Sequence, residues 1–317
     1  MHPTPVASLR GKSVATASMF SAAEVISLCD LAETFERLLA ENKPIELLKG
    51  KVMTPLFFEN STRTFSSFCA AMTKLGGSVV NLPIESSSIA KGESLSDTIR
   101  TMDSYSDVLV LRHPDVHALQ TAMKVAKAPI FNAGNGTGEH PTQALLDVMT
   151  IRRELGRLDN LVIGLVGDLK NGRTVHSLVE MVGKNFGVKE LIMVSPPSLR
   201  MPESVLTRLP TTISVVEETS LSPQIMQRVD VLYCTRLQKE RFGAGEAGLM
   251  DYDAAKSSLV VNAKRLVDAK QNMIVMHPLP RNDELSDDVD GDHRAAYFKQ
   301  MRYGLLMRMA LLYSVLA

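Results

Sequence analysis

Short apolar strands alternate with helical segments along most of this chain of 317 residues. Apolar runs at residues 52–58, 108–111, 161–168 and 231–236 are typical of buried strands, and segments with helical periodicity lie between them. Parallel strands need crossover connections, and a helix is the usual crossover. The alternation therefore predicts parallel sheets with helices on both faces.

The length of the chain corresponds to about two domains. Pro141 opens a long helical segment, and a second series of strands and helices begins directly after it. We predict an α/β fold of two doubly wound domains, each with a central parallel sheet flanked by helices, joined by interdomain helices. The predicted domains are residues 1–145 plus 292–317 and residues 146–291, and the closing segment 294–317 is predicted to be an amphipathic helix.

Composition narrows the class of protein. Lys+Arg and Asp+Glu both count 35, so the charge balance gives no reason to expect nucleic acid or an anionic membrane as a partner. Three widely spaced cysteines fit buried thiols in a reducing compartment and offer neither a disulfide framework nor a metal site. No secretory signal is visible, and the apolar tail 309–317 is too short to span a bilayer. We expect a soluble cytoplasmic protein without a metal or cofactor.

The segment 59–65 places a hydroxyl-rich turn between a predicted strand and a predicted helix. Such a turn carries free backbone N–H groups and the positive end of a helix dipole. The hydroxyls of Ser61, Thr62 and Thr64 add donors, and Arg63 adds a planar fork suited to a dianion. Taken alone, the segment fits either a phosphate pocket or a well-capped helix with a surface arginine.

Arginines also follow three other apolar strands, at Arg112, Arg173 and Arg236. A single arginine at a strand end is usually solvated or salt-bridged. Four of them at one cleft between domains would repel each other unless anions filled it, so we expect substrates with several negative charges. The glycines of residues 133–140 do not form a dinucleotide site, because Glu139 stands where the third glycine should fall.

Three motifs resemble the signatures of the carbamoyltransferases: Ser-Thr-Arg-Thr at 61–64, His-Pro-Thr-Gln at 140–143 and His-Pro-Leu-Pro at 277–280. Three further stretches, at 91–93, 168–174 and 235–238, resemble the aspartate branch of that family. The resemblance runs from Leu48 to the C-terminus in the family's order. Residues 211–224 and 243–258 match no family pattern, and residues 238–252 are poorly periodic and are predicted to be a mobile loop.

The resemblance implies transfer of a carbamoyl group from carbamoyl phosphate to the α-amine of L-aspartate. The residues it assigns to carbamoyl phosphate are Ser61, Thr62, Arg63, Thr64, Arg112, His140, Gln143, Leu279 and Pro280. Within this set Thr64, Arg112 and His140 would contact the carbamoyl oxygen. Gln143 and the carbonyls of Leu279 and Pro280 would hold the carbamoyl amino group.

For aspartate, the resemblance implies Arg173, Arg236 and Gln238 as carboxylate-binding residues. It also implies that Ser87 and Lys91 reach the site from a neighbouring subunit, which predicts a homotrimer with shared sites. Five residues would act most directly on the reaction: Arg63, Thr64, Lys91, Arg112 and His140. Glu59 would brace Arg173 and Arg241 when the two domains close.

Other functions fit the sequence less well. Ornithine carbamoylation would need a cysteine where Pro278 stands and an aspartate-bearing Ser-Met-Gly motif that the chain lacks, and Lys91 and Arg236 would repel ornithine's ammonium group. A non-catalytic homologue would need a broken site, yet each motif position is filled. The ordinary Met1 start favours a free-standing enzyme, while regulatory chains, nucleotide effectors and a larger multienzyme assembly all stay open.

Overall fold

The computed structural model describes residues 3–84, 87–237, 239, 242 and 245–317, with side chains in the last range from residue 248 onward. The chain forms two compact units. Unit 1 is Met1–Leu146 with Met301–Ala317, and unit 2 is Asp147–Gln300.

Unit 1 contains a four-stranded parallel sheet. Its strands are β1 (Val52–Phe57), β2 (Ser78–Val79), β3 (Val108–His113) and β4 (Ile130–Asn135), in the order β2-β1-β3-β4. Its helices are α1 (Ala22–Ala40), α2 (Thr62–Lys74), α3 (Leu95–Asp103), α4 (Ala118–Val125) and the first turns of α5 (Pro141–Leu155). The strand order reverses between β1 and β3, which makes that pair the switch point of the sheet.

Unit 2 contains a five-stranded parallel sheet. Its strands are β5 (Val162–Val166), β6 (Glu190–Val194), β7 (Ser214–Glu218), β8 (Val231–Cys234) and β9 (Ile274–Met276), in the order β7-β6-β5-β8-β9. Its helices are α6 (Arg173–Asn185), α7 (Glu203–Leu206), α8 (Pro223–Met226), α9 (Gly245–Leu259), α10 (Ala263–Leu266) and the start of α11 (Tyr297–Leu316). The switch point here lies between β5 and β8.

The predicted fold of two parallel sheets flanked by helices is confirmed. The central strands form as expected because both of their faces are covered, and each therefore reads as a continuous apolar run. Strands β5 and β8 are buried along their whole length. Within the described ranges, no helix is both long enough and apolar enough to cross a bilayer.

One segment differs from its prediction, and one strand was not predicted. The predicted mobile loop is wrong from Gly245 onward, where α9 forms, while most of its earlier residues lie outside the described ones. Helix α9 buries Gly248, Tyr252, Ala255 and Leu259, which share one helical face, but a glycine on that face hid the periodicity. Strand β7 lies in the unmatched stretch 211–224, and its mostly exposed residues give no apolar run.

The chain returns to unit 1 at Met301, nine residues later than the position expected for the domain boundary. Just before this point, the side chain of Gln300 accepts a hydrogen bond from the N–H of His277 (2.9 Å) and donates one to Asp147 (2.9 Å). These buried bonds tie the first turn of α11 into unit 2.

Candidate active site

The carboxyl ends of β1 and β3 lie side by side at the switch point of unit 1, where ligands bind in open parallel sheets. Helix α2 begins there at Thr62 with Ser61 as its N-cap residue. The Ser61 side chain accepts no capping hydrogen bond, whereas Ser21 caps α1 and Ser94 caps α3 through bonds of 3.3 and 3.1 Å. The Ser61 side chain therefore does not cap α2, which disfavours the well-capped alternative and favours the phosphate pocket.

Thr64 and His140 meet in the buried part of this site. Thr64 Oγ1 lies 3.5 Å from His140 Nε2, and Thr142 Oγ1 lies 3.5 Å from His140 Nδ1. The exposed fractions of Thr64 and His140 are only 6% and 3%. Both ring nitrogens thus face a threonine hydroxyl at the outer limit of hydrogen-bond distance, next to the start of α2.

Arg112 is held at the carboxyl end of β3. Its backbone pairs with Phe57 of β1, and its Nη1 donates to the carbonyl of Ala133 at 3.2 Å. Its Nε lies 3.3 Å from a carboxylate oxygen of Glu59, in a pair whose side chains are 13% and 30% exposed. This ion pair within unit 1 was not predicted; the family resemblance implied contacts of Glu59 with Arg173 and Arg241 instead.

His113 follows Arg112 and packs its ring against Phe58, with the ring centroids 4.7 Å apart. Burial lowers the pKa of His113, although the carboxylates of Asp115 and Glu59 partly oppose the shift. The imidazole is therefore biased towards its neutral form, and the positive charge at this strand end is concentrated on Arg112.

The remaining predicted residues of unit 1 lie on two elements. Gln143 is 5% exposed in the first turn of α5. Ser87 accepts a hydrogen bond from the N–H of Ile89 (3.3 Å) and donates to the carbonyl of Ile84 (2.7 Å), so its bonds stay within its own loop. Lys91 ends the short 3-10 turn of that loop, and its side chain is exposed to solvent.

Unit 2 repeats the arrangement at its own switch point. Gly167 follows β5 with φ +120°, and a Cβ on it would lie 2.4 Å from the carbonyl oxygen of Thr235, so only glycine allows this close approach. The loop that follows is held by Asp168, whose carboxylate accepts the N–H (2.9 Å) and side-chain amide (3.0 Å) of Asn171. Helix α6 then begins at Arg173 without a side-chain cap.

Arg236 follows β8, the neighbour of β5, and is half-buried. Its Nε is buried and has no hydrogen-bond partner within the described ranges. A buried donor without an acceptor is costly, and an anionic ligand would supply the acceptor. Gln238 and Arg241, the other predicted residues near it, lie outside the described residues.

Leu279 and Pro280 form a tight turn after β9. The peptide bond between them is cis, and Leu279 has φ +57°, which is uncommon for a residue other than glycine. The N–H of Leu279 donates to His277 Nδ1 at 2.8 Å. Among the described residues, no group of three or more His, Cys, Asp or Glu side chains could hold a metal ion.

Two family models match nearly the whole chain. The model described as "Aspartate/ornithine carbamoyltransferase, carbamoyl-P binding domain" covers residues 12–153, and the model described as "Aspartate/ornithine carbamoyltransferase, Asp/Orn binding domain" covers residues 159–315. The chain belongs to the aspartate/ornithine carbamoyltransferase family. The predicted resemblance to carbamoyltransferases is thereby confirmed.

Relatives within the family fall into two kinds. The chain is 46% identical to the aspartate carbamoyltransferase catalytic subunit of Thermococcus gammatolerans, covering 95% of this chain and 96% of that one. It is 49% identical to the multifunctional protein pyr1-3 of Dictyostelium discoideum over 96% of its own residues. The chain spans only 13% of the length of pyr1-3 and 12% to 17% of the length of other multifunctional relatives.

Solved structures of family members superimpose closely. Aspartate transcarbamoylase of Trypanosoma cruzi in complex with carbamoyl phosphate and aspartate gives a TM-score of 0.95 at 55% identity, over 100% of both chains. The same enzyme in complex with N-(phosphonacetyl)-L-aspartic acid gives a TM-score of 0.95 at 56% identity, over 99% of this chain and 98% of that one. The fold described here is therefore that of the family.

Proposed function

We propose that this chain catalyses the transfer of the carbamoyl group of carbamoyl phosphate to the α-amine of L-aspartate, giving N-carbamoyl-L-aspartate and phosphate. This is the aspartate carbamoyltransferase reaction of de novo pyrimidine biosynthesis. The observation that carries the proposal is the uncapped start of α2, where Ser61 and Arg63 lie next to the buried Thr64–His140 contact. The relatives from T. gammatolerans and T. cruzi bear the same activity in their names, which supports the choice of substrates.

In the proposed site, unit 1 binds carbamoyl phosphate. The phosphate accepts hydrogen bonds from the first turn of α2 and from the side chains of Ser61, Thr62, Arg63 and Thr64. Backbone N–H groups at a helix start favour an anion, and a guanidinium adds charge-assisted bonds. As the phosphate leaves, its charge grows, so these contacts strengthen in the transition state.

The carbamoyl oxygen also gains charge when the amine attacks. Thr64, Arg112 and His140 are the donors assigned to it, and the structure holds Thr64 and His140 in contact. A preorganised donor of this kind contributes about 3–4 kcal/mol in comparable acyl-transfer sites. Gln143 and the carbonyls of Leu279 and Pro280 would take the carbamoyl N–H groups, which sets the plane of the carbamoyl group.

Unit 2 is proposed to bind L-aspartate through Arg173, Arg236 and Gln238. Among the described residues, no side chain or backbone group bonds the Nε of Arg236, and a substrate carboxylate would supply its acceptor, which supports this role. The amine then attacks the carbamoyl carbon directly. No covalent intermediate is needed, because holding two substrates in line can supply a large part of the rate enhancement.

We propose a homotrimer in the cytosol, with Ser87 and Lys91 completing the site of a neighbouring subunit. The exposed Lys91 side chain, on a loop whose hydrogen bonds are internal, supports this assignment. Mixing inactive Arg63→Ala and Lys91→Ala subunits should then restore activity, because some hybrid sites combine an intact Arg63 from one subunit with an intact Lys91 from its neighbour. Random assembly at equal amounts predicts recovery of about a quarter of the activity of the unmodified enzyme.

A matched control uses two variants of the same side of the site. Mixing Arg63→Ala with Arg112→Ala subunits should restore no activity, since one subunit supplies both residues to each carbamoyl-phosphate site. Subunit exchange is verified by native mass spectrometry of differently labelled chains. No recovery in the Arg63→Ala and Lys91→Ala mixture after verified exchange would show that each site is built within one chain.

The proposed reaction is tested by incubating the purified chain with carbamoyl phosphate and either L-aspartate or L-ornithine, and measuring the ureido product and free phosphate. We expect N-carbamoyl-L-aspartate and phosphate in equal amounts, and no product from ornithine. Release of phosphate without ureido product, or citrulline formation from ornithine, would contradict the proposal.

A further inference from the structure

A chain of buried polar side chains runs through unit 2 from β8 to the turn after β9. Its five members are each at most 3% exposed: Asp147, Tyr233, His277, Glu284 and Gln300. Buried polar groups persist when their hydrogen bonds are made, and a connected set of them specifies one local geometry. The family resemblance assigned none of these five residues to a substrate.

The first half of the network fixes the backbone of His277. Tyr233 donates through its hydroxyl to Asp147 Oδ2 at 2.8 Å, and Gln300 Nε2 donates to Asp147 Oδ1 at 2.9 Å. The other end of the Gln300 amide accepts the N–H of His277 at 2.9 Å. Both carboxylate oxygens of Asp147 and both polar atoms of the Gln300 amide thus have partners, which locks these side chains in place.

The second half fixes the His277 ring. Nδ1 accepts the N–H of Leu279 at 2.8 Å, so the ring proton of the neutral imidazole must lie on Nε2. Nε2 then donates to Glu284 Oε1 at 2.9 Å, and the same oxygen accepts the N–H of Asn282 at 2.9 Å. Burial would raise the pKa of Glu284, but the hydrogen bonds from His277 and Asn282 lower it on balance, so the acceptor is a carboxylate.

The ring therefore bridges the two sides of the Leu279–Pro280 turn. One nitrogen holds the N–H of Leu279, whose φ of +57° is otherwise unfavourable, and the other holds the chain just after Pro280 through Glu284 and Asn282. A hydrogen bond that a side chain accepts from the backbone N–H two residues later is a recognised way to stabilise such a turn.

We propose that His277 is a positioning residue, whose ring and buried partners aim the carbonyls of Leu279 and Pro280 at the carbamoyl amino group. This inference rests on the proposed function, because it gives those carbonyls their ligand. Loss of the bridge would leave the carbamoyl group free to rotate while the phosphate contacts of unit 1 persist. Misplacement of a reacting group by about 1 Å can cost about 10²-fold in rate.

The test compares four variants by kcat, by KM for each substrate, by inhibition with inorganic phosphate and by melting temperature. His277→Leu removes both ring contacts and should lower kcat about 100-fold, with the inhibition constant of phosphate changed less than about threefold. His277→Asn keeps an acceptor for the N–H of Leu279 and should recover about tenfold of that loss. The isosteric Glu284→Gln should lose about five- to tenfold in kcat with the same unchanged phosphate inhibition, and it decides the question if His277→Leu does not fold.

His293→Leu is the matched control, since His293 belongs to the same unit and its side chain is 66% exposed. It should keep the kcat of the unmodified enzyme. The proposal is overturned if a folded His277→Leu keeps kcat within about threefold, if His277→Asn recovers nothing, or if Glu284→Gln matches the unmodified enzyme. Absence of carbamoyl-aspartate from the unmodified enzyme in the same assay would instead overturn the proposed function.

Discussion

Arg63→Ala is expected to lower kcat with carbamoyl phosphate and aspartate by about 10²–10³-fold. The variant removes the guanidinium from the first turn of α2, where the leaving phosphate gains its charge. The N–H groups and hydroxyls of that turn remain, so some binding of carbamoyl phosphate should persist. Steady-state kinetics with both substrates varied gives kcat and the two KM values.

Arg100→Ala is the matched control for this variant. Arg100 also lies on a helix of unit 1, and its side chain is 62% exposed in an ion pair with Asp97. Exposed pairs of this kind contribute little, so turnover and melting temperature should stay near those of the unmodified enzyme. Near-normal turnover in a folded Arg63→Ala variant would refute the assignment of phosphate binding to the start of α2.

Arg236→Ala should raise the KM for aspartate about 10–100-fold and change the KM for carbamoyl phosphate less than about threefold. The estimate takes about 1.5–3 kcal/mol for hydrogen bonds between a charged donor and a charged acceptor. The split between the two substrates follows from the place of Arg236 in unit 2, at the end of β8. Initial rates at saturating levels of the other substrate measure each KM.

Arg200→Ala controls for loss of an arginine from unit 2. The Arg200 side chain is 50% exposed and lies 3.5 Å from Glu217, on the sheet's edge strand β7. We expect both KM values to match those of the unmodified enzyme. If Arg236→Ala raised both KM values equally, or neither, Arg236 would not be the residue that distinguishes aspartate from carbamoyl phosphate.

Most of the fold could be predicted from the sequence because buried parallel strands consist of continuous runs of apolar residues. The same feature placed Arg112 and Arg236 at strand ends, and parallel strands bring their carboxyl ends to one edge. Strand β7 escaped because an exposed edge strand needs no apolar run. Helix α9 was not predicted because its buried face includes Gly248, and a glycine adds no apolar side chain to the helical pattern.

The contacts within the site could not be predicted from the sequence. Ser21 and Ser61 both precede a helix, and only Ser21 is followed three residues later by a glutamate that can complete a capping box. That the Ser61 side chain accepts no capping hydrogen bond is visible only in the structure. The Glu59–Arg112 ion pair joins the ends of two strands whose register the sequence does not state. The network around His277 depends likewise on residues up to 153 positions apart in the chain.

Calorimetric titration with N-(phosphonacetyl)-L-aspartate, the ligand of one T. cruzi structure, tests the central claim most directly. This ligand carries a phosphonate and the two aspartate carboxylates in one molecule. We expect Arg63→Ala and Arg236→Ala each to weaken its binding at least about tenfold, whereas binding of inorganic phosphate alone should weaken only with Arg63→Ala. Unchanged binding of the joined ligand to either variant would show that arginines of the two units do not act on the same pair of substrates.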